Sequence, residues 1–150
     1  MRFTTKTEYG IICLIYMAKQ EGLRPVTVKE IVKGEHYSIT YMEKILQKLR
    51  AAKIVEAVHG NQGGYILARH PSQIHLKGIV EALEGNTFEI FCCEPRLSKE
   101  IVCNHFPLCN VKPVWEKTKE LLDHFYSTIT LEMMAKSDFK FSEPPLIGRK

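Results

Sequence analysis

The 150-residue sequence has no apolar run approaching the roughly 20 residues that a membrane-spanning helix requires. Its first residues, including Arg2 and Lys6, are followed by neither a long apolar stretch nor a small-residue cleavage site, so they do not resemble a secretory signal. It also has no Ser/His/Asp set, no paired carboxylates and no nucleotide-binding loop, and its 6 histidines are scattered. We therefore expect a cytoplasmic protein that is not an enzyme and has no membrane partner.

The chain has 5 cysteines, and 4 of them lie in one place. Cys13 stands in the apolar run at residues 11–15 and is expected in the core, because free cysteine buries like a small hydrophobe. The other four fall within residues 91–109, which we call the cysteine segment: Cys92, Cys93, Cys103 and Cys109. Because cytoplasmic thiols stay reduced, clustered cysteines there are more often metal ligands or redox groups than disulfides.

Positive charge is concentrated in the first half of the chain. Residues 1–70 hold 11 Lys/Arg against 6 Asp/Glu, whereas residues 71–150 hold 10 against 11. The first half is therefore the candidate for binding a polyanion, provided that it also carries a recognition motif.

Such a motif is predicted within residues 4–52. Apolar residues recur at helical spacing over residues 4–20, and Thr27 with Glu30 three residues later forms a capping box for a short second helix. A four-residue turn that begins with glycine separates it from a third helix over residues 39–52, with Ser38 as its cap. This layout predicts a helix-turn-helix whose last helix enters the major groove of DNA.

The outer face of that last helix offers side chains that can read bases or hold phosphates. They are Ser38, Thr40, Tyr41, Glu43, Lys44, Gln47 and Lys48. An ordinary solvated helix face is the alternative interpretation. Residues 54–59 and 65–69 follow as two strands around a glycine-rich turn, which predicts a wing with His59 and Asn61 at its edge.

The second half predicts a short helix over residues 75–84, stopped by Gly85, and a single long helix from about residue 114 to 136. The apolar stripe of the long helix comprises Val114, Leu121, Leu122, Phe125, Tyr126, Ile129 and Met133. We expect it to form a dimer interface, with packing inside one chain as the alternative. The predicted fold is mainly α with a small β-hairpin wing: a winged helix-turn-helix domain (1–85), a cysteine-containing sensor loop (86–112), a dimerisation helix (113–137) and a disordered tail (138–150).

Three segments together carry a resemblance to a known family. They are residues 1–9 (MRFTTKTEY), residues 38–44 (SITYMEK) and residues 58–65 (VHGNQGGY). The sequence resembles, over roughly residues 1–135, the regulator-of-redox-function family of bacterial winged-helix transcription regulators. That family includes an iron–sulfur cluster assembly regulator and a nitric-oxide-sensitive repressor.

The resemblance implies a homodimer that binds double-stranded operator DNA, usually as a repressor, under the control of an iron–sulfur cluster. Cys103 and Cys109 match the family interval. Cys93 is taken as the first ligand, with Cys92 as the alternative, although its gap to Cys103 is longer than usual. Glu8 matches an acidic fourth ligand that, in other branches of the family, comes from the N-terminal region of the partner subunit.

Other ligand sets stay open. Lys112 stands where one branch of the family has a ligating histidine. The local alternatives to Glu8 are His105 and whichever of Cys92 and Cys93 is not the first ligand. The spacing allows a 2Fe–2S or a 4Fe–4S cluster, and we expect 2Fe–2S. Zinc held by three cysteines and a histidine is possible, although the close cysteine pair of zinc ribbons is missing. Metal-free thiol or small-ligand sensing is the main alternative, and an iron–sulfur redox protein or enzyme is a third.

The resemblance also implies individual DNA contacts. Ser38, Thr40, Glu43 and Lys44 match family positions that face the major groove, with Lys44 in place of a glutamine. His59 stands where arginine often enters the minor groove and is a weaker cation at pH 7. Arg2, Thr4 and Arg50 are expected at the phosphates.

Overall fold

The computed structural model describes residues 4–20, 24–34, 37–60, 63–89 and 109–139. The elements in chain order are helices α1 (Thr5–Ala18), α2 (Val28–Ile31) and α3 (Ile39–Ala51), strands β1 (Val55–Val58) and β2 (Gly64–Leu67), a 3₁₀ turn (Pro71–Gln73), and helices α4 (Leu76–Glu84), α5 (Lys112–Thr128) and α6 (Leu131–Lys136). The mainly helical fold with one antiparallel hairpin is therefore confirmed. Within these residues, no helix is both long enough and apolar enough to cross a membrane.

Local capping defines the helix-turn-helix of α2 and α3. The Glu30 backbone N–H donates to Thr27 Oγ1 at 3.2 Å, while the Thr27 N–H donates to Glu30 Oε2 at 2.8 Å. The two bonds form the predicted capping box, which satisfies two amide groups that the helix itself leaves without acceptors. Ser38 Oγ caps α3 by accepting from the Tyr41 N–H at 3.1 Å. Gly34 has φ +87° in the turn, a conformation that favours glycine.

The core lies among α1, α3, α4 and the hairpin. α3 buries one face, and α1 and α4 close over it. The largest fully buried side chains include Leu14, Met17, Met42, Ile45, Leu46, Leu49, Ile79 and Leu83. Cys13 is completely buried among them, so its predicted core position is confirmed.

The hairpin is attached to the entry of α2. β1 and β2 pair antiparallel from Val55 opposite Leu67 to Val58 opposite Gly64. Val26 adds a short third pairing, because its N–H and C=O exchange hydrogen bonds with Tyr65 at 2.9 and 2.8 Å. A Cβ on Gly64 would lie only 2.7 Å from the carbonyl carbon of Val26, so this approach of two backbones requires glycine.

The prediction of one helix from residue 114 to 136 is wrong. α5 ends at Thr128, and Ile129 and Thr130 are extended before α6 begins. The break is stabilised by hydrogen bonds from the Leu76 N–H to the Ile129 carbonyl (2.9 Å) and from the Leu131 N–H to the Ile74 carbonyl (2.8 Å). Ile129 and Leu131 are buried there. α6 therefore packs on α1 as part of the first-half core, and only α5 remains as a candidate dimerisation helix.

The outer face of α5 is exposed and apolar. It includes Val114, Leu121 and Phe125, each at least 45% exposed, whereas Tyr126 is buried and Trp115 lies on another side of the helix, beside Phe88. Single exposed apolar residues are common, but three on one helix face mark a surface suited to a partner. Residues 140–150, most of the predicted disordered tail, lie outside the described residues.

Candidate nucleic-acid interface

α3 presents a polar face to solvent and an apolar face to the core. Met42, Ile45, Leu46 and Leu49 are buried. Thr40, Glu43, Lys44 and Gln47 are all exposed, and helical periodicity places them together on the opposite face. The buried face and the Ser38 cap keep the helix in one orientation on the domain. The four exposed residues therefore form a fixed polar surface, which we call the reading face.

The chemistry of the reading face suits base edges and phosphates. Glu43 can accept from cytosine N4, Lys44 can donate to guanine or to a phosphate, and Thr40 and Gln47 can contact bases of either kind. Ser38 is also exposed, but its hydroxyl is occupied as the cap of α3. It can still donate its own proton to a phosphate.

Tyr41 is held against α1. Its ring meets Tyr9 edge-on with centroids 6.1 Å apart, and its hydroxyl oxygen lies 3.5 Å from Thr5 Oγ1. Tyr9 also stacks on Tyr37 of the turn, with centroids 4.4 Å apart. This half-buried aromatic cluster fixes the first turn of α3 on α1. Tyr41 therefore positions the reading face. The part of its side chain that could contact a phosphate is the hydroxyl group.

Lys48 and Arg50 lie on the flanks of α3 rather than on the reading face. Lys48 Nζ is 3.5 Å from the carbonyl oxygen of Leu83, in the last turn of α4. A cation near a helix C-terminus is favourable, because the terminal carbonyls carry partial negative charge. The expected DNA contact from Lys48 thus competes with a contact inside the domain, whereas Arg50 is exposed on the opposite flank.

Thr4 is engaged by a carboxylate that the sequence analysis did not single out. The Thr4 N–H donates to Glu84 Oε1 at 3.2 Å, the hydroxyls of Thr4 and Thr7 donate to the same oxygen, and Lys6 Nζ lies 3.2 Å from Oε2. Burial alone would raise the pKa of Glu84, but these donors outweigh it and lower the pKa to about 2. The carboxylate therefore stays charged and engages the Thr4 N–H and hydroxyl, the groups that were expected to contact a phosphate.

The wing brings His59 to its exposed edge. His59 follows β1 directly, and Gly60 begins the turn with φ +119°. The Gly63 N–H closes the turn on the Gly60 carbonyl at 2.9 Å. Two other predicted contacts, Arg2 and Asn61, lie outside the described residues.

The structure describes two of the predicted cluster ligands. Cys109 is a half-buried free thiol just before α5, and Glu8 is exposed on α1, where it lines an apolar cavity of about 110 Å³ with Ile11 and Val80. The remaining candidates, Cys92, Cys93, Cys103 and His105, lie outside the described residues. In the part of the chain that is described, no group of three His, Cys, Asp or Glu could hold a metal ion.

The residues that precede the cysteine segment are attached to α5. The buried Thr87 hydroxyl donates to Asp123 Oδ1, and Lys119 Nζ contacts both Thr87 Oγ1 (3.2 Å) and Asp123 Oδ2 (3.1 Å). Burial raises the pKa of Asp123, but the bonds from Thr87 and Lys119 more than compensate and lower it. Phe88 packs next to Trp115 with ring centroids 6.1 Å apart. Sequence patterns did not identify this cluster, because Thr87 lies 36 residues before Asp123 and 32 before Lys119 along the chain.

Comparisons with known proteins agree with this geometry. The Rrf2 family, described as an iron-dependent transcriptional regulator, matches residues 3–137. The chain is 27% identical over 138 residues to the HTH-type transcriptional regulator IscR of Sodalis glossinidius, covering 92% of this chain and 81% of that protein. The structure of T. potens IscR superposes with a TM-score of 0.70 at 30% identity, covering 96% and 94% of the two chains. CymR, the global cysteine regulator of B. subtilis, superposes with a TM-score of 0.70 at 26% identity, covering 93% and 99%.

Proposed function

The chain belongs to the Rrf2 family of transcription regulators, and from this premise we propose that it is a dimeric repressor whose operator binding is controlled by an iron–sulfur cluster. The observation that carries the DNA-binding part is the reading face of α3. Four polar side chains stand together on a capped helix, next to a hairpin whose edge carries His59. A helix and a wing side by side suit the major groove and the adjoining backbone of a duplex.

The exposed face of α5 supports the dimer. Its apolar side chains lie on a helix that contacts α4 but leaves Leu121 59% and Phe125 45% exposed. Burying them against the same helix of a second copy would remove apolar surface from water at roughly 25 cal/mol per Å². A twofold dimer would also present two reading faces to two half-sites of an operator.

The cysteine segment supports the sensor. Cys93, Cys103 and Cys109 would hold the cluster with Glu8 as fourth ligand, and Cys92 and His105 are the alternative donors. The two described donors fit this task, because Cys109 is a free half-buried thiol and the Glu8 carboxylate is exposed and accessible to a second subunit. A bound 2Fe–2S cluster supplies a centre whose charge and stability respond to oxidants, nitric oxide or iron supply. Cys109 stands three residues before α5, so a ligand on its thiol acts on the first turn of that helix.

A second candidate is the same DNA-binding regulator with a metal-free sensor. It is favoured by the similarity to CymR, a global cysteine regulator, over 93% of this chain. In this version two thiols of the cysteine segment are oxidised to a disulfide by a peroxide, which takes up their two electrons and two protons, and a thiol reductant restores them. The apolar face of α5 keeps its role in the dimer.

The DNA-binding part is tested by selecting duplexes from a randomised library with the full-length chain and measuring affinity by mobility shift. Lys44→Ala should weaken binding about tenfold, because a base or phosphate contact of this kind is worth roughly 1–3 kcal/mol. Lys136→Ala is the matched control, since it removes the same charge from α6, where Lys136 pairs with Glu132. Selection of no duplex, or an equal loss in both variants, would contradict the proposal.

The sensor is tested on protein purified without oxygen, by visible absorption, EPR and counts of iron and sulfide per subunit. A chromophore with matched iron and sulfide is the expected result. Colourless protein that binds the selected duplex, and loses it reversibly on peroxide treatment, would favour the metal-free sensor. Zinc without sulfide would contradict the cluster sensor and indicate that the cysteine segment binds a structural zinc ion.

A further inference from the structure

We propose that residues 83–88, at the end of α4, form a junction that couples α5 to the two helices that position the reading face, with Glu84 and Thr87 as its positioning residues. The inference rests on the proposed function, because it concerns how a change at α5 reaches DNA. Three separate sets of contacts converge on these six residues.

The first set joins the junction to α3. Lys48 Nζ contacts the Leu83 carbonyl at 3.5 Å, and the buried Leu83 side chain lies in the core beside α3. Lys48 is one turn after Lys44 of the reading face, on the same rigid helix. A displacement of residue 83 therefore changes a contact of the recognition helix itself.

The second set joins the junction to α1. One carboxylate, that of Glu84, accepts from the Thr4 backbone and from two hydroxyls, and it pairs with Lys6 at 3.2 Å. α1 in turn holds the first turn of α3 through the contact between Tyr9 and Tyr41. Glu84 thus reaches the reading face by a second route, at the opposite end of α3 from the first.

The third set joins the junction to α5. Thr87 donates to Asp123, Lys119 bridges both of them, and Phe88 packs beside Trp115. Thr87 is 2% exposed, so its hydroxyl has little water to replace a lost partner. α5 cannot shift at Asp123 without either taking Thr87 with it or leaving a partly buried carboxylate short of a donor.

The two sides are only three residues apart, because Glu84 holds α1 and Thr87 holds α5. Movement of α5 on one side therefore displaces the α1 and α3 contacts on the other. The cysteine segment starts at residue 91, with two residues between it and the end of the junction, and ends at Cys109, before α5. A structural change in that segment would therefore act on the junction at one end and on α5 at the other.

The single tryptophan of the chain makes the coupling measurable. Trp115 lies beside Phe88, so its fluorescence reports on the α5 side of the junction. Coupling between two sites is reciprocal. If the junction transmits, saturating the full-length chain with a duplex selected by it from a randomised library should change the emission of Trp115.

Thr87→Val and Thr87→Ser form the matched pair. Valine keeps the shape of the side chain but removes the hydroxyl that bonds Asp123, whereas serine keeps the hydroxyl. Both variants should still bind the duplex. The emission change should persist in the serine variant and fall by at least half in the valine variant. If circular dichroism shows that the valine variant is unfolded, Asp123→Leu takes its place, because leucine keeps roughly the size of the side chain and cannot accept a hydrogen bond from Thr87.

The outcomes separate the coupling from the proposed function. Binding of the duplex without any change in Trp115 emission overturns the junction but leaves DNA binding intact. A full response in the valine variant also overturns it, because DNA would then act on Trp115 by another route. Failure to select any duplex refutes the proposed function, and the coupling to a reading face with it.

Discussion

Two helical glycines allow the packing between α1 and α4 to be measured against a matched control. Gly10 lies in α1 where that helix crosses α4, and Gly78 lies in α4 facing solvent. A Cβ added at Gly10 would lie well inside van der Waals contact of Leu83 Cδ1 and 3.4 Å from Ile45 Cγ2. A Cβ added at Gly78 would meet nothing within 4 Å.

The two alanine substitutions share one energy term and differ in another. Each replaces glycine inside a helix by alanine, which stabilises a helix by roughly 0.8–1 kcal/mol. For Gly78→Ala this term stands alone, so the free energy of unfolding should rise by about 0.5–1 kcal/mol. For Gly10→Ala the buried Leu83 must be displaced, and overpacking of this kind costs about 1–3 kcal/mol. Gly10→Ala should therefore be destabilised by up to about 2 kcal/mol relative to the parent.

The measurement is urea unfolding of the full chain followed by circular dichroism, at one protein concentration, because a dimer's stability depends on concentration. The difference between the two variants cancels the helix propensity and leaves the packing term, about 1–3 kcal/mol. Equal stability of Gly10→Ala and Gly78→Ala would refute the close approach of α1 and α4. Since Leu83 begins the junction, Gly10→Ala also reports how tightly α1 is held there.

Two further predictions concern titration and reactivity. Glu84 has a pKa of about 2 in the folded chain against an ordinary 4.5, so its contribution to stability is complete above pH 4.5 and is lost as the pH falls towards 2. Urea unfolding at pH 7 and pH 3 should show Glu84→Gln destabilised by about 1–2 kcal/mol at pH 7 and by less at pH 3; a deficit that does not change with pH would contradict this. Burial raises the pKa of Cys13 to about 12, so native alkylation at pH 8 should label the half-buried Cys109 well before Cys13. Equal labelling by peptide mass spectrometry would show that the core opens.

The helix-turn-helix and the wing were predictable because their signals are local. The capping box of Thr27 and Glu30, the Ser38 cap and the glycine-rich turn each act within a few residues of chain. The reading face follows from them, since a capped helix with one apolar face has only one side left for solvent. The winged helix-turn-helix could therefore be predicted from the sequence without knowledge of any tertiary contact.

The break between α5 and α6 was not predictable in this way. The apolar spacing continues through Ile129, and no proline or glycine marks the end of α5. What ends the helix is the pairing of its backbone with Ile74 and Leu76, more than 50 residues earlier in the chain. Tertiary hydrogen bonds here override a periodic pattern. That pattern predicted Ile129 in the dimer interface, whereas Ile129 is buried in the core.

Glu84 carried a signal that only a second rule makes visible. An acid in the last turn of a helix is unfavourable, because the terminal carbonyls of α4 already carry partial negative charge. The same carboxylate is favourable at the start of α1, where the Thr4 N–H and Lys6 face it. The Glu84 side chain thus stabilises the start of α1 and is unfavourable at the end of α4. It can stabilise α1 only while these two helix ends stay together. A residue that is unfavourable in its own helix but satisfied by a distant one marks a contact between those two helices. At Glu84 this contact joins α4 to α1, shortly before the cysteine segment begins.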